Sequence, residues 1–194
     1  MIDIIKKNLK ESASLAESIA SNSEIVSAIS AIAQEIVVAY KKGNRLFIAG
    51  NGGSAADAQH IAGELVNEYY HSRKALSAIA LTTDTSVLTS WANDKHFDHI
   101  FERQLEAHGR PGDIFWAITT SGKSKNLIYA TEKAKSLGMI TISFLGKSGG
   151  ALKGLAKHEI HIPHSDTARI QEVQHIIYHT ICELVEKEFL IKEF

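Results

Sequence analysis

The 194-residue chain has one cysteine, Cys182, and two prolines, and its 21 lysines and arginines are matched by 22 aspartates and glutamates. A single cysteine excludes an intrachain disulfide and suits a reducing compartment; its place in an apolar helical pattern reads as a small buried side chain. With 44% hydrophobic residues and so little proline, no stretch has a disorder-prone composition. A formal charge of -1 leaves no broad basic field to attract nucleic acid or anionic lipid, so any anion must be held locally. The N-terminus lacks the uninterrupted apolar core of a signal peptide, and no run of roughly 18 apolar residues is present, which predicts a cytoplasmic protein without a membrane segment. Neither a GxGxxG fingerprint nor a GxxxxGK[ST] loop occurs, so nucleotide-driven chemistry is disfavoured.

What is present is a repeated grammar of strand, turn and helix. Residues 2–42 show apolar positions at threes and fours, interrupted at Ser21, Asn22 and Ser23; this predicts two helices, the second capped by Ser23 or a neighbour. Short apolar runs follow at 45–50, 76–81, 113–120, 139–146 and 158–163, each leading into a helical pattern, the first of which spans about 55–69 and the last 167–193. Strands apolar on both faces and alternating with helices predict a doubly wound, five-stranded parallel sheet, an α/β fold of flavodoxin-like type. The whole of 1–194 is expected to form one domain, with 1–42 packing in an oligomer and 43–194 as the α/β core and C-terminal helix. In such sheets ligands bind beyond the carboxyl ends of the strands.

Two glycine- or hydroxyl-rich turns occupy that place. In GNGGSA (50–55) and TTSGKS (119–124), backbone N–H groups freed of bulky side chains can face an anion at the start of a helix. Thr119, Thr120, Ser121 and Ser124 add hydroxyls, and Lys123 adds charge nearby, a composition suited to a phosphate monoester. The bland alternative is two strand-to-helix turns with serine caps. On the next helix His60 and Glu64, four apart, share a face and suit either a divalent metal, an acid–base pair or a solvated surface. On the last helix Arg169, Gln171, Glu172, Gln174, His175 and His179 interrupt an apolar stretch. Spacing alone favours His175 as a metal partner of His179, because Gln171 lies roughly 12 Å along the axis and about 80° around it. Arg169 is suited either to Glu172 or to a phosphate.

The runs IAGNGGSAADAQHIAGEL, WANDKHFDHIF, TTSGKSKNLI and ARIQEVQHIIYH, in this order, resemble a sugar-isomerase (SIS) domain of the phosphoheptose isomerase family across nearly the whole chain. The resemblance implies conversion of sedoheptulose 7-phosphate into an aldose heptose 7-phosphate for bacterial surface glycans, in a cytoplasmic homotetramer holding zinc. It implies His60, Glu64, Gln171 and His179 as metal ligands and Glu64 and His179 as the catalytic pair. Substrate contacts implied in the same way are Asn51, Gly52, Gly53, Ser54, Glu64, Asn93, Asp94, Thr119, Thr120, Ser121, Ser124 and Gln171. Where the family commonly has serine, this chain has Thr119, which keeps the hydroxyl and adds a methyl group. A non-catalytic relative that binds a replication initiator lacks, at the places of Glu64 and His179, the acidic residue and the histidine present here; an isomerase of another phosphosugar is the third reading.

Overall fold

The computed structural model describes residues 1–190. Its elements run α1 (Ile2–Ala20), α2 (Ser23–Lys41), β1 (Leu46–Gly50), α3 (Gly53–Val66), β2 (Ala78–Ala80), α4 (Thr85–Asp94), α5 (Ile100–His108), β3 (Ile114–Ile118), α6 (Lys125–Ser136), β4 (Ile140–Gly146), β5 (His158–Ile162) and α7 (Thr167–Lys187). The strands form one parallel sheet in the order β2-β1-β3-β4-β5, with Leu46 opposite Ile114 and Gly50 opposite Ile118. This is the doubly wound arrangement, and its switch point lies between β1 and β3, the strands that precede the two hydroxyl-rich loops.

Alternation along the strands divides the core. Leu46, Ile48, Ile114, Trp116 and Ile118 face α2, α3 and α7, while Phe47, Ala49, Phe115 and Ala117 face the residues of α5 and α6. Both faces are apolar because both are covered, as the unbroken strand runs require. Trp116 is fully buried against Phe144 at a ring-centroid distance of 4.8 Å, a packing residue. Cys182 is buried and free, and burial pushes its thiol up to about 12.

Helix α2 is long and apolar enough to cross a membrane by length and composition, but Ile32, Ala33, Ile36, Val37 and Ala39 are buried in the core. Its cap is Asn22, whose side chain accepts from the N–H groups of Glu24 and Ile25.

Three elements are shorter than their sequence patterns. β2 keeps only Ala78–Ala80 of residues 76–81 because Leu76 bonds back to the Leu65 carbonyl. α3 stops at Val66, short of residue 69, because the N–H groups of Tyr69, Tyr70 and His71 donate to the Glu186 carboxylate at 2.8, 2.8 and 3.1 Å instead of to helix carbonyls. α7 ends at Lys187, and Leu190 bridges to Arg73; the remainder of the expected helix lies outside the described residues. Glu186, in the last turn of α7, is 1% exposed and anchors the end of the helix. Arg169, 8% exposed, binds Glu172 at 2.7 Å and the Asn8 carbonyl at 2.6 Å, so its charge docks α1 onto α7.

Candidate active site

The loop after β1 and the loop after β3 enclose a cavity of about 260 Å³ lined by Asn51, Gly53, Ser54, Thr119, Thr120, Ser121, Ser124, Thr167 and Gln171, with Ile118 at its base. Neither adjoining helix has a side-chain cap: Gly52 precedes α3, and Ser124 precedes α6 without a capping bond. The first-turn N–H groups of both helices therefore lack a side-chain acceptor, and a hydroxyl-lined cavity opens beside them. Lys123 is exposed and does not line the cavity. Thr119 Oγ1 accepts from the N–H groups of Ser121 and Gly122, each at 3.2 Å, and so shapes the loop from within.

Two glycines are required by close approach. A Cβ on Gly53 would stand 2.6 Å from Gln171 Nε2, so the absence of a side chain lets Gln171 lie over the start of α3. Gly122, at φ +64, would place a Cβ 1.6 Å from the Gly149 carbonyl oxygen.

Gly53 and Gln171 also line a second cavity, of about 340 Å³, with Asp57, Glu172 and His175. Beyond it α3 and α7 bring three imidazoles together: ligand nitrogens of His60, His175 and His179 all lie within 4.8 Å of one another. His60 Nε2 is 2.8 Å from Glu64 Oε1 and 3.4 Å from His179 Nε2. Helix periodicity explains the cluster, since Asp57, His60 and Glu64 follow at intervals of three and four on α3, and Tyr178 and His179 stand three and four positions after His175 on α7. Nitrogen and carboxylate donors in this number suit a divalent ion of the zinc class.

A second layer of contacts was not foreseen from the sequence. Tyr178 Oη meets His175 at Nδ1 (2.5 Å) and Nε2 (3.3 Å), His60 Nδ1 at 3.2 Å and Asp57 Oδ1 at 3.3 Å, so it occupies Nδ1 of His60 while that ring's Nε2 faces Glu64 and His179. Burial raises the Asp57 carboxyl above its usual range, against the opposing pull of His175 and Tyr178. Burial, joined by the charges of His175 and His60, lowers His179, against the opposing Glu64. The periodic spacing of Asp57 from His60 was the available signal; for Tyr178 there was none beyond its place in the polar-interrupted helix.

Asn93 and Asp94 end α4, hydrogen-bond to each other at 2.9 Å, and do not line either cavity. His175, favoured by spacing, lies in the imidazole cluster; Gln171, implied by resemblance, lies where the two cavities meet.

Residues 9–146 match the family model described as SIS domain. The chain is 44% identical over 194 residues to the phosphoheptose isomerase of Aneurinibacillus thermoaerophilus, covering 100% of this chain and 98% of that one. It is 46% identical over 188 residues to the phosphoheptose isomerase of Clostridium acetobutylicum, covering 97% and 96%. Among solved structures it is similar to a phosphoheptose isomerase from Francisella tularensis, with a TM-score of 0.92 and 34% identity over 96% of this chain and 98% of that chain. Sheet order, paired loops and matches over the full length agree: the chain belongs to the SIS-domain family and, within it, to the phosphoheptose isomerases.

Proposed function

We propose that the protein converts D-sedoheptulose 7-phosphate into D-glycero-D-manno-heptose 7-phosphate by proton transfer through an enediol. The observation that supports this most directly is the adjacency of an uncapped, hydroxyl-lined cavity to a carboxylate–imidazole cluster, joined through Gly53 and Gln171. The phosphate sits against the 119–124 loop, held by its hydroxyls and by the first-turn N–H groups and dipole of α6. The sugar chain then runs towards α3 and α7.

A ketose and its aldose differ by one proton moved between neighbouring carbons and one between their oxygens. No redox or nucleotide cofactor is needed. The difficulty is the weak acidity of a C–H beside a carbonyl, which calls for a base at that carbon and a donor at the oxygen where charge develops. Glu64 is the base, and His179, whose imidazole burial shifts towards the neutral form, relays the oxygen proton. His60 and His179, with Glu64 and either Gln171 or His175 beside them, would hold a divalent ion, which we take to be zinc; because metal binding weakens a carboxylate as a base, Glu64 would not be a permanent ligand. When bound, the ion supplies positive charge that polarises the sugar oxygens. Asn51, Gly52, Gly53 and Ser54 border the sugar; Asn93 and Asp94, which line neither cavity, are added to the substrate contacts on the resemblance alone.

We place this reaction in the cytoplasm, in heptose supply for bacterial surface glycans, in a chain that folds as one SIS domain over 1–194. We also propose a homotetramer. An apolar groove of about 450 Å³ between α1, α2 and α7, together with Ile2, Ile4, Ile5 and Leu9 exposed on α1, supports coverage by another copy. A monomeric mass by light scattering at micromolar concentration would count against it. The reaction itself is tested by incubating the protein with a panel of ketose phosphates and following aldose formation by NMR. Heptose product from the seven-carbon ketose is expected; product from a six-carbon ketose alone would replace the substrate, and no aldose from any would remove the proposal.

A further inference from the structure

The ladder between β1 and β3 ends at the pair Gly50 and Ile118, yet the loops that continue from these strands stand on opposite sides of the phosphate cavity. Past the last ladder pair, something must fix their separation. Asn51, the residue directly after β1, and Asn126, in the first turn of α6, turn their side-chain amides to each other. Asn51 Nδ2 donates to Asn126 Oδ1 at 3.0 Å, and Asn126 Nδ2 donates to Asn51 Oδ1 at 2.9 Å. The partners are 75 positions apart in the chain, and Asn126 is 2% exposed. It does not line the cavity.

We propose that Asn126 is a positioning residue that clamps the sugar-side loop to the phosphate-side loop across the switch point. Each amide uses one donor and its acceptor on the other, so the pair resists both sliding and parting. Burial of Asn126 limits the water that would otherwise compete, and truncating either partner leaves the other amide without these bonds. The α3 helix that starts beside Asn51 bears His60 and Glu64; the 119–124 loop that precedes Asn126 holds the phosphate. The clamp thereby sets the distance between the anchored end of the substrate and the groups that move its protons. The inference rests on the isomerase reading above for the identity of the two ends.

The test compares Asn126→Ala, Asn51→Ala and the double variant with wild type, using kcat/KM for the ketose 7-phosphate and competitive inhibition by inorganic phosphate. Phosphate alone is held chiefly by the 119–124 loop and the start of α6, whereas the sugar phosphate must also reach the groups on α3 and α7. Each single variant should lower kcat/KM roughly tenfold, and the double should be no worse than either single, because both remove the same pair. The inhibition constant for phosphate should stay within about twofold. A parallel loss of both readouts would mean a collapsed loop, and no loss of either would mean an idle contact; each overturns the clamp, as does a double variant with multiplied losses. If Asn126→Ala does not fold, Asn126→Asp keeps the volume but sets a carboxylate oxygen against Asn51 Oδ1, and the same ordering is expected. A wild-type protein that turns over no ketose phosphate would sink the functional reading alone. The clamp is then read calorimetrically, as a loss of sugar-phosphate affinity without loss of phosphate affinity.

Discussion

His60 and His179 turn their Nε2 atoms towards each other across 3.4 Å, from two helices that are separate in sequence and adjacent in space. Two protonated rings at this distance would repel, which adds to the burial that chiefly lowers the pKa of His179. A shared divalent ion resolves the arrangement by drawing on both lone pairs. Zinc added to chelator-treated protein at about a hundred times its dissociation constant should stabilise the fold by about 2.7 kcal/mol, a rise in Tm of roughly 5–10 °C. His60→Ala and His179→Ala should each abolish most of that rise. A melting curve indifferent to zinc in the wild type would remove the ion from the site.

Glu64→Gln keeps the shape and hydrogen-bonding capacity of the side chain while deleting the carboxylate. If Glu64 abstracts the carbon-bound proton, turnover should fall by about 10²–10⁴-fold, the usual contribution of a positioned base. Inhibition by inorganic phosphate should be unchanged, since the 119–124 loop lies apart from residue 64. Near wild-type turnover would show that another group is the base.

The parallel sheet was legible because its strands are short apolar runs closed by glycine or hydroxyl turns, and that pattern has few other solutions. The two loops were legible for the same reason. Spacing on α3 and α7 pointed to His60, Glu64, His175 and His179, because helix periodicity relates residues on one face. Neither the partnership of Asn51 with Asn126 nor the role of Tyr178 could be read there: each depends on which side chains two distant elements bring into register. The end of α3 was overestimated because its apolar pattern continues past the point where Glu186, more than a hundred residues later, captures the next three N–H groups.

Gly53 and Gly122 predict opposite outcomes for the same substitution. At Gly53 the new Cβ meets the end of a flexible Gln171 side chain, which can swing away. Gly53→Ala should therefore melt within about 2 °C of wild type, consistent with the small effect of surface changes, while kcat/KM falls several-fold as Gln171 is displaced from the junction of the two cavities. At Gly122 the Cβ meets the backbone of Gly149 at positive φ, and neither can yield cheaply. Gly122→Ala should cost about 1–3 kcal/mol, read by urea denaturation. Equal stability of the two variants would refute the contrast.

Glu186 and Arg73 form a buried pair, 3.3 Å apart with side chains 1% and 0% exposed, and Arg73 in turn donates to the carbonyls of Glu64 and Leu65 at 2.7 and 2.8 Å. The pair thus fixes the end of the helix that presents Glu64. Burial, the largest single influence, pushes the Glu186 carboxyl up, but the N–H donors of Tyr70, Tyr69 and His71 and the charge of Arg73 together outweigh it and hold it below 4.5. In the unfolded chain the same group takes up its proton at higher pH than in the fold, so its stabilisation is complete above about pH 4.5 and is lost as pH falls through the lower, folded value. Glu186→Gln removes this dependence and leaves Arg73 buried without its counter-charge, a loss of about 3–5 kcal/mol at neutral pH. Urea denaturation of both proteins from pH 7 down to about 3 should show the wild-type advantage shrinking at the acid end. Parallel profiles across that range would mean that the carboxylate is not what secures the end of α3.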